Sequence, residues 1–247
     1  MEAPTQVTIL ADRVVKRGRS PEAAANEAAH YRAMEVAPPP FPTPRLISWN
    51  GDELIVTRLG GRALGGRKIL EGDVSPRAAR ACVALATSTA EWDPPVDRRR
   101  FDDVRQVEWG LAEGVLQEGE VERMRRHAAT ATRVFQHGDL IPPNVFVDGD
   151  RAAVIDFEWS GRGFVNGLDW ARLLANGWGS DALRAELLSA PIAATADGAF
   201  SWAVVLCHEL RQVERDGAGA DWAADARRLY LGQLPALRAA LSALPVR

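Results

Sequence analysis

Apolar and polar positions alternate in short runs at the start of the chain and then settle into longer helical periods. Val7–Leu10 and Val14–Lys16 are brief apolar-rich runs either side of a turn at Asp12, the pattern of paired strands. Ser20 is placed to cap a helix, with Pro21 at its first position and Glu22 in its first turn. Ala24, Ala28, Tyr31 and Met34 recur at near-helical spacing, so the pattern predicts an amphipathic helix over Pro21–Glu35. The proline-rich run Pro38–Pro44 stops it. LISWNGDELIVTRL then reads as a hairpin, because Asn50-Gly51 suits the positive φ angles of a tight primed turn. The glycine-rich stretch Gly60–Gly66 reads as a flexible connection.

Beyond it helices dominate. Ser75 caps a predicted helix over Pro76–Trp92, and further helices are predicted within Phe101–Leu116 and Glu118–Thr132. Val145–Val147 and Ala153–Ile155 are β-prone runs around Asp148-Gly149-Asp150, a second hairpin signal. From Leu168 onward the chain is helical again, with expected breaks near Gly177–Gly179, Gly198 and Gly217–Gly219. The sequence therefore predicts an α+β fold with no internal repeat. A short strand-rich lobe over residues 1–62 precedes a larger helical lobe over residues 63–247.

Composition narrows the function classes. The 247 residues are 47% hydrophobic and 26% charged with a net charge of -3, which argues against a nucleic-acid partner. No apolar run approaches membrane-spanning length, and MEAPTQVTIL lacks the basic-then-apolar pattern of a secretion signal. The expectation is a cytoplasmic protein without nucleic-acid or membrane partners. Cys82 and Cys207 have no ligand-like spacing and read as buried thiols. Lys16 and Lys68 are the only lysines, which makes each worth attention.

The chemistry concentrates in FQHGDLIPPNVFVDGDRAAVIDFEWSGRGF. It holds H-x-D-x-x-x-x-N, as His137, Asp139 and Asn144, and then Ile155-Asp156-Phe157-Glu158. Folding the intervening hairpin brings Asn144 and Asp156 to the same end of neighbouring strands. An amide oxygen and a carboxylate there suit a hard cation such as magnesium. Asp139 lies on the loop entering the hairpin, near the metal yet free to take a proton from an attacking hydroxyl. Phosphoryl transfer needs that arrangement.

The spacing resembles the protein-kinase catalytic loop and its metal-binding aspartate. HGDLxxxN followed by IDFE is more similar to the aminoglycoside phosphotransferase and choline kinase families, which phosphorylate small molecules on a protein-kinase-like fold. The resemblance implies that Asp139 is the catalytic base and that Asn144 and Asp156 hold magnesium. It implies that Asp169, in Leu168-Asp169-Trp170-Ala171, braces the catalytic loop, and that His137 is structural. VVKRG resembles the phosphate-binding lysine strand and ANEAAHYRAM the helix carrying its partner, which points to Lys16 and Glu27. LIVTRLGGRAL resembles the inter-lobe hinge, so the backbone at Thr57, Arg58 and Leu59 is expected to face adenine.

Glu158 is a candidate to assist metal or substrate binding, against the alternative of a loop cap, and Trp159 and Phe164 are candidates to line the acceptor pocket, against core packing. Glu209, Glu214, Asp216 and Asp221 alternate with Arg211 and Arg215 and read as a mixed solvated face rather than an acidic rim. Two departures stand out. No glycine-rich phosphate-covering loop precedes Lys16, which leaves the phosphates to Lys16 and magnesium or to a covering Arg17-Gly18-Arg19 turn. Pro143 also replaces a position that is often glycine. The resemblance implies an enzyme that moves the γ-phosphoryl of ATP, with GTP as the alternative nucleotide, to a hydroxyl of a small molecule. Candidate acceptors are an aminoglycoside-like or other antibiotic, a sugar or an amino alcohol. A kinase-shaped binding protein is the reading from another class. A protein kinase would carry an A-P-E-like anchor after Asp156, and none is present.

Overall fold

Strand β1 (Gln6–Ile9) turns back at once into β2 (Arg13–Arg17), and the chain then enters α1 (Pro21–Val36). In this computed structural model residues 6–17, 20–51, 53–96, 101–217 and 221–242 are described. The Ser20 hydroxyl accepts the Ala23 N–H at the head of α1, and Pro21 opens its first turn. Strands β3 (Leu46–Trp49) and β4 (Glu53–Thr57) form the hairpin expected at Asn50-Gly51, with Gly51 at φ 96°. The four strands make an antiparallel sheet in the order β1-β2-β4-β3. Its apolar residues Val15, Leu54 and Val56 are buried, as are Tyr31 and Met34 of α1, and α1 packs on β3 and β4. β1 is exposed throughout.

The stretch Gly60–Gly66 is not a free connection. It contains β5 (Arg62–Ala63), which pairs with β7 (Val145–Asp148); β7 in turn pairs with β8 (Arg151–Val154). Gly61, at φ 83°, lets the backbone pass the Val147 carbonyl where a methyl group would sit 2.7 Å from its oxygen. Helices α2 (Pro76–Glu91), α3 (Asp103–Ala112) and α4 (Glu118–Ala128) follow the predicted runs. The last stops short of Thr132, because β6 (Arg133–Gln136) begins there and pairs with β9 (Gly161–Val165). That pair falls outside the expected elements.

The remainder is helical: α5 (Leu168–Gly177), α6 (Asp181–Ser189), α7 (Ala196–Asp216), α8 (Asp221–Leu231) and α9 (Leu234–Ser242). Every residue of α5 is buried, with α7 against it. The break expected near Gly198 falls just before it, between α6 and α7. Gly198 itself lies in the first turn of α7, where its N–H bonds the Thr195 cap and its missing side chain admits the Ile192 carbonyl. Cys82 and Cys207 are buried free thiols, their pKa values pushed up to about 12 by burial. Among the described residues no helix is long and apolar enough to cross a membrane. The result is the expected strand-rich sheet ahead of a helical body.

Candidate active site

The loop that leaves β6 is held from below by the first turn of α5. The Asp169 carboxylate accepts the backbone N–H of His137 at 2.7 Å and of Gly138 at 2.8 Å, and the Asp169 N–H donates to Gln136 Oε1 at 2.7 Å. Burial pushes the Asp169 carboxyl up, while His137 and the two backbone donors act against it. His137 is buried, with Nε2 3.0 Å from the Ile155 carbonyl and its own carbonyl accepting the Ser160 hydroxyl. Burial holds its imidazole below the ordinary value. Such a histidine ties loops together. Gly138 has φ 81°, and a methyl group there would sit 2.6 Å from the Trp159 carbonyl oxygen.

These ties fix the loop that carries Asp139. Asn144 Nδ2 donates to the Asp139 carbonyl at 2.9 Å and to its Oδ2 at 3.0 Å. Burial pushes the Asp139 carboxyl up, and the Arg172 and Lys68 charges draw it back. Asn144 sits in the short turn Pro142–Asn144, so Pro143 is accommodated at the step where glycine was expected.

Asp156 follows β8 with φ 72°, the one non-glycine positive φ among the described residues. That turn directs its carboxylate to Lys16 Nζ, 2.9 Å away. Lys16 lies on β2, 7% exposed, and its ammonium also donates to Glu27 of α1 at 2.8 Å. Glu27 is fully buried and accepts the Tyr31 hydroxyl at 3.1 Å. The structure thus brings Lys16, Glu27 and Asp156 into one chain of contacts, and Asp139 and Asn144 into another on the adjoining loop.

The outlying candidates divide. The Thr57 N–H is bonded to the Arg45 carbonyl and the Arg58 N–H to that of Asp12, which leaves the Leu59 backbone as the expected hinge group without an acceptor among the described residues. Glu158 accepts Asn26 through its carbonyl and Trp159 through its carboxylate. The Trp159 ring is 53% exposed. Phe164 is core, packed against Phe101. Arg17 is paired with Glu53, whereas Gly18 and Arg19 of the expected covering turn lie outside the described residues. The turn between β1 and β2 is tight and contains no glycine.

Glu209 corrects the expectation of a solvated face. It is 1% exposed, bonded to Arg172 at 2.5 Å and to Lys68 at 2.5 Å, with the Tyr230 hydroxyl 3.5 Å away. Glu214 and Asp216 are exposed as expected, and the side chain of Asp221 lies outside the described residues. The network borders a cleft of about 620 Å³ between the Arg67–Glu71 segment and helices α7 and α8. Arg172 was legible in principle, since it stands one helical turn after Asp169 and shares its face. Lys68 was flagged by rarity alone.

A model of the phosphotransferase enzyme family matches residues 6–231. No curated protein matches the sequence. Among solved structures, a choline/ethanolamine kinase family protein from Mesorhizobium loti is 17% identical, with TM-score 0.64 over 98% of this chain and 92% of that one. A thermostable mutant of aminoglycoside phosphotransferase APH(4)-Ia, in ternary complex with ADP and hygromycin B, is 12% identical, with TM-score 0.62 over 96% and 94%. Macrolide 2'-phosphotransferase MphH from Brachybacterium faecium is 18% identical, with TM-score 0.55 over 100% and 90%.

Proposed function

The chain belongs to the phosphotransferase enzyme family, and from that premise we propose that it transfers the γ-phosphoryl group of ATP to a hydroxyl of a small molecule, with magnesium. The observation that carries this reading is the contact of Lys16 with both Glu27 and Asp156, beside an Asp139 anchored by Asn144. An ammonium buried between two carboxylates is held rigidly where phosphates must lie.

Asp156 and Asn144 supply a carboxylate and an amide oxygen, the hard donors that magnesium takes from a protein when phosphates and water complete its shell. Bound there, magnesium would neutralise phosphate charge. Asp139 accepts the proton of the acceptor hydroxyl as its oxygen bonds to the γ-phosphorus. The bond from that phosphorus to the bridging oxygen breaks, and ADP leaves with the electron pair.

The Leu59 backbone, beside Thr57 and Arg58, is the adenine-facing hinge in this reading, and GTP would use the same groups. Residues 1–62 form the nucleotide lobe and 63–247 the catalytic and acceptor lobe, with β5 as the entry into the second. In this reading Glu158 and Trp159 remain candidates for acceptor contact, alongside the separate cleft bordered by Lys68 and Glu209. By the same reading the enzyme works in the cytoplasm, where ATP is supplied.

The test is ADP release from magnesium-ATP over a panel of hydroxylated small molecules, with Asp139→Asn as control. Acceptor-dependent release that disappears in the control is expected. Release of equal size in a folded control would overturn the reading.

A further inference from the structure

The cleft between the Arg67–Glu71 segment and helices α7 and α8 is lined in part by Ile69, Val213, Leu229 and Tyr230, with the half-exposed indole of Trp222 at its side. Its acidic side chains invite the thought of a cationic acceptor. Their pairing argues otherwise. Glu71 is bonded to Arg67 at 2.8 Å, Asp216 to Arg215 at 2.6 Å and Asp225 to Arg228 at 3.1 Å. Those are exposed pairs, and a carboxylate so screened by water contributes little to holding a cation. Glu209 is different. It is the buried carboxylate of the wall, and both of its oxygens are occupied, one by the Arg172 guanidinium and the other by the Lys68 ammonium.

We propose that the Lys68 ammonium fills the position at Glu209 that a cationic acceptor would take, so that the cleft selects a hydroxylated acceptor with an apolar face and no positive charge. The inference rests on the acceptor docking in this cleft. Lys68 is well built for the task. Its ammonium is fixed by a second acceptor, Gln212 Oε1, at 2.5 Å, while about a third of its side chain stays open to the cleft. Arg172 beneath is 6% exposed and cannot be displaced without stranding a buried charge. An incoming ammonium therefore meets a lysine of like charge rather than a free carboxylate, and like charges in register disfavour the wrong partner. The Trp222 indole and the aliphatic wall offer a neutral ligand an apolar surface.

The experiment is calorimetric binding without nucleotide of choline, kanamycin and phenyl β-D-glucoside to the wild type, Lys68→Gln and Lys68→Arg, each checked for folding by thermal melting. The glucoside should bind the wild type more tightly than either cation. In Lys68→Gln the two cations should gain roughly tenfold in affinity while the glucoside changes little, and Lys68→Arg should restore the exclusion. Tighter binding of choline or kanamycin than of glucoside by the wild type would overturn the inference. So would cation affinities that Lys68→Gln leaves unchanged. Because no arm contains ATP, the expected shift together with background ADP release would sink the phosphotransferase reading and leave this one standing.

Discussion

The loop that carries Asp139 and the strand that carries Lys16 are held in opposite ways. The loop from Gln136 to Asn144 is fixed by a web of short hydrogen bonds: two backbone donors on Asp169, Ser160 on the His137 carbonyl, and Asn144 on Asp139. Gly138 meets the Trp159 carbonyl too closely for any other residue. The lysine strand has one such tie at each end of its ammonium, Glu27 and Asp156, and next to it an exposed strand, β1. A base must hold its geometry against the attacking oxygen, while a phosphate-binding cation can follow the nucleotide that it holds. The contrast predicts that disturbance on the Asp139 side is read in the chemical step or in stability, and on the Lys16 side in nucleotide binding.

The largest effect is expected at the base. Asp139→Asn should lower turnover by about a hundred- to ten-thousand-fold, the usual contribution of a positioned base. Melting temperature and nucleotide affinity should stay near wild type. Steady-state ADP release with a panel acceptor, alongside calorimetric titration of ATP, checks both halves. A folded variant with wild-type turnover would remove Asp139 from the role.

Asp156 is where the two halves meet, so its loss should register next. Asp156→Ala should weaken magnesium-ATP binding by roughly a hundredfold and abolish the difference between titrations with and without magnesium. Asn144→Ala should cost less, since a neutral oxygen contributes less to a hard cation than a carboxylate does. A magnesium effect intact in Asp156→Ala would break the assignment and with it the link between the halves.

Two glycines sharpen the comparison in terms of stability. Gly138 and Gly51 both have positive φ, at 81° and 96°. An added methyl at Gly51 meets nothing within 4 Å, so Gly51→Ala carries the backbone penalty alone, about 1 kcal/mol. At Gly138 the same methyl meets a carbonyl oxygen at 2.6 Å, and Gly138→Ala should cost about 2 kcal/mol or more. Urea midpoints of the two variants decide it. Equal losses would show that the loop yields more than its bonds imply.

The same distinction governs what the sequence reveals. Features carried by neighbours along the chain were legible: the Ser20 and Ser75 caps, the Asn50-Gly51 and Asp148-Gly149 turns, and the Asp139–Asn144 spacing. Features completed by a distant partner were not. Arg62 and Ala63 become a strand because Val147 and Phe146 lie alongside, and nothing within Gly60–Gly66 signals that. β6 and β9 are likewise short strands stabilised by each other through a shifted register. Glu209 reads as surface because arginines alternate with acids around it, yet α7 turns it inward to Arg172, which lies on another helix. Local charge patterning cannot distinguish a solvated ion pair from a buried one.

The smallest effect should come from the outermost strand, and it separates sequence hydrophobicity from burial. Val7 lies in β1 at 54% exposure, and Val154 lies in β8 at 0%. In the sequence both read as apolar strand positions. Val→Thr keeps the branched shape and strand preference and exchanges a methyl for a hydroxyl. At Val154 that hydroxyl enters a core where an unmet hydrogen bond costs about 1–3 kcal/mol. At Val7 water satisfies it, and the change should stay within about 0.5 kcal/mol. Val154 also sits two residues before Asp156 and donates its N–H to the carbonyl of Pro42, between α1 and β3, so loosening β8 should also weaken ATP binding. Val7 pairs directly with Lys16 across the β1–β2 ladder, yet the ammonium is anchored to Glu27 and Asp156 rather than to β1. Val7→Thr should therefore leave ATP affinity unchanged as well as stability. Measuring urea midpoints and ATP affinity for the two variants tests the claim directly. A loss of ATP binding in Val7→Thr would mean that β1, for all its exposure, takes part in positioning the lysine.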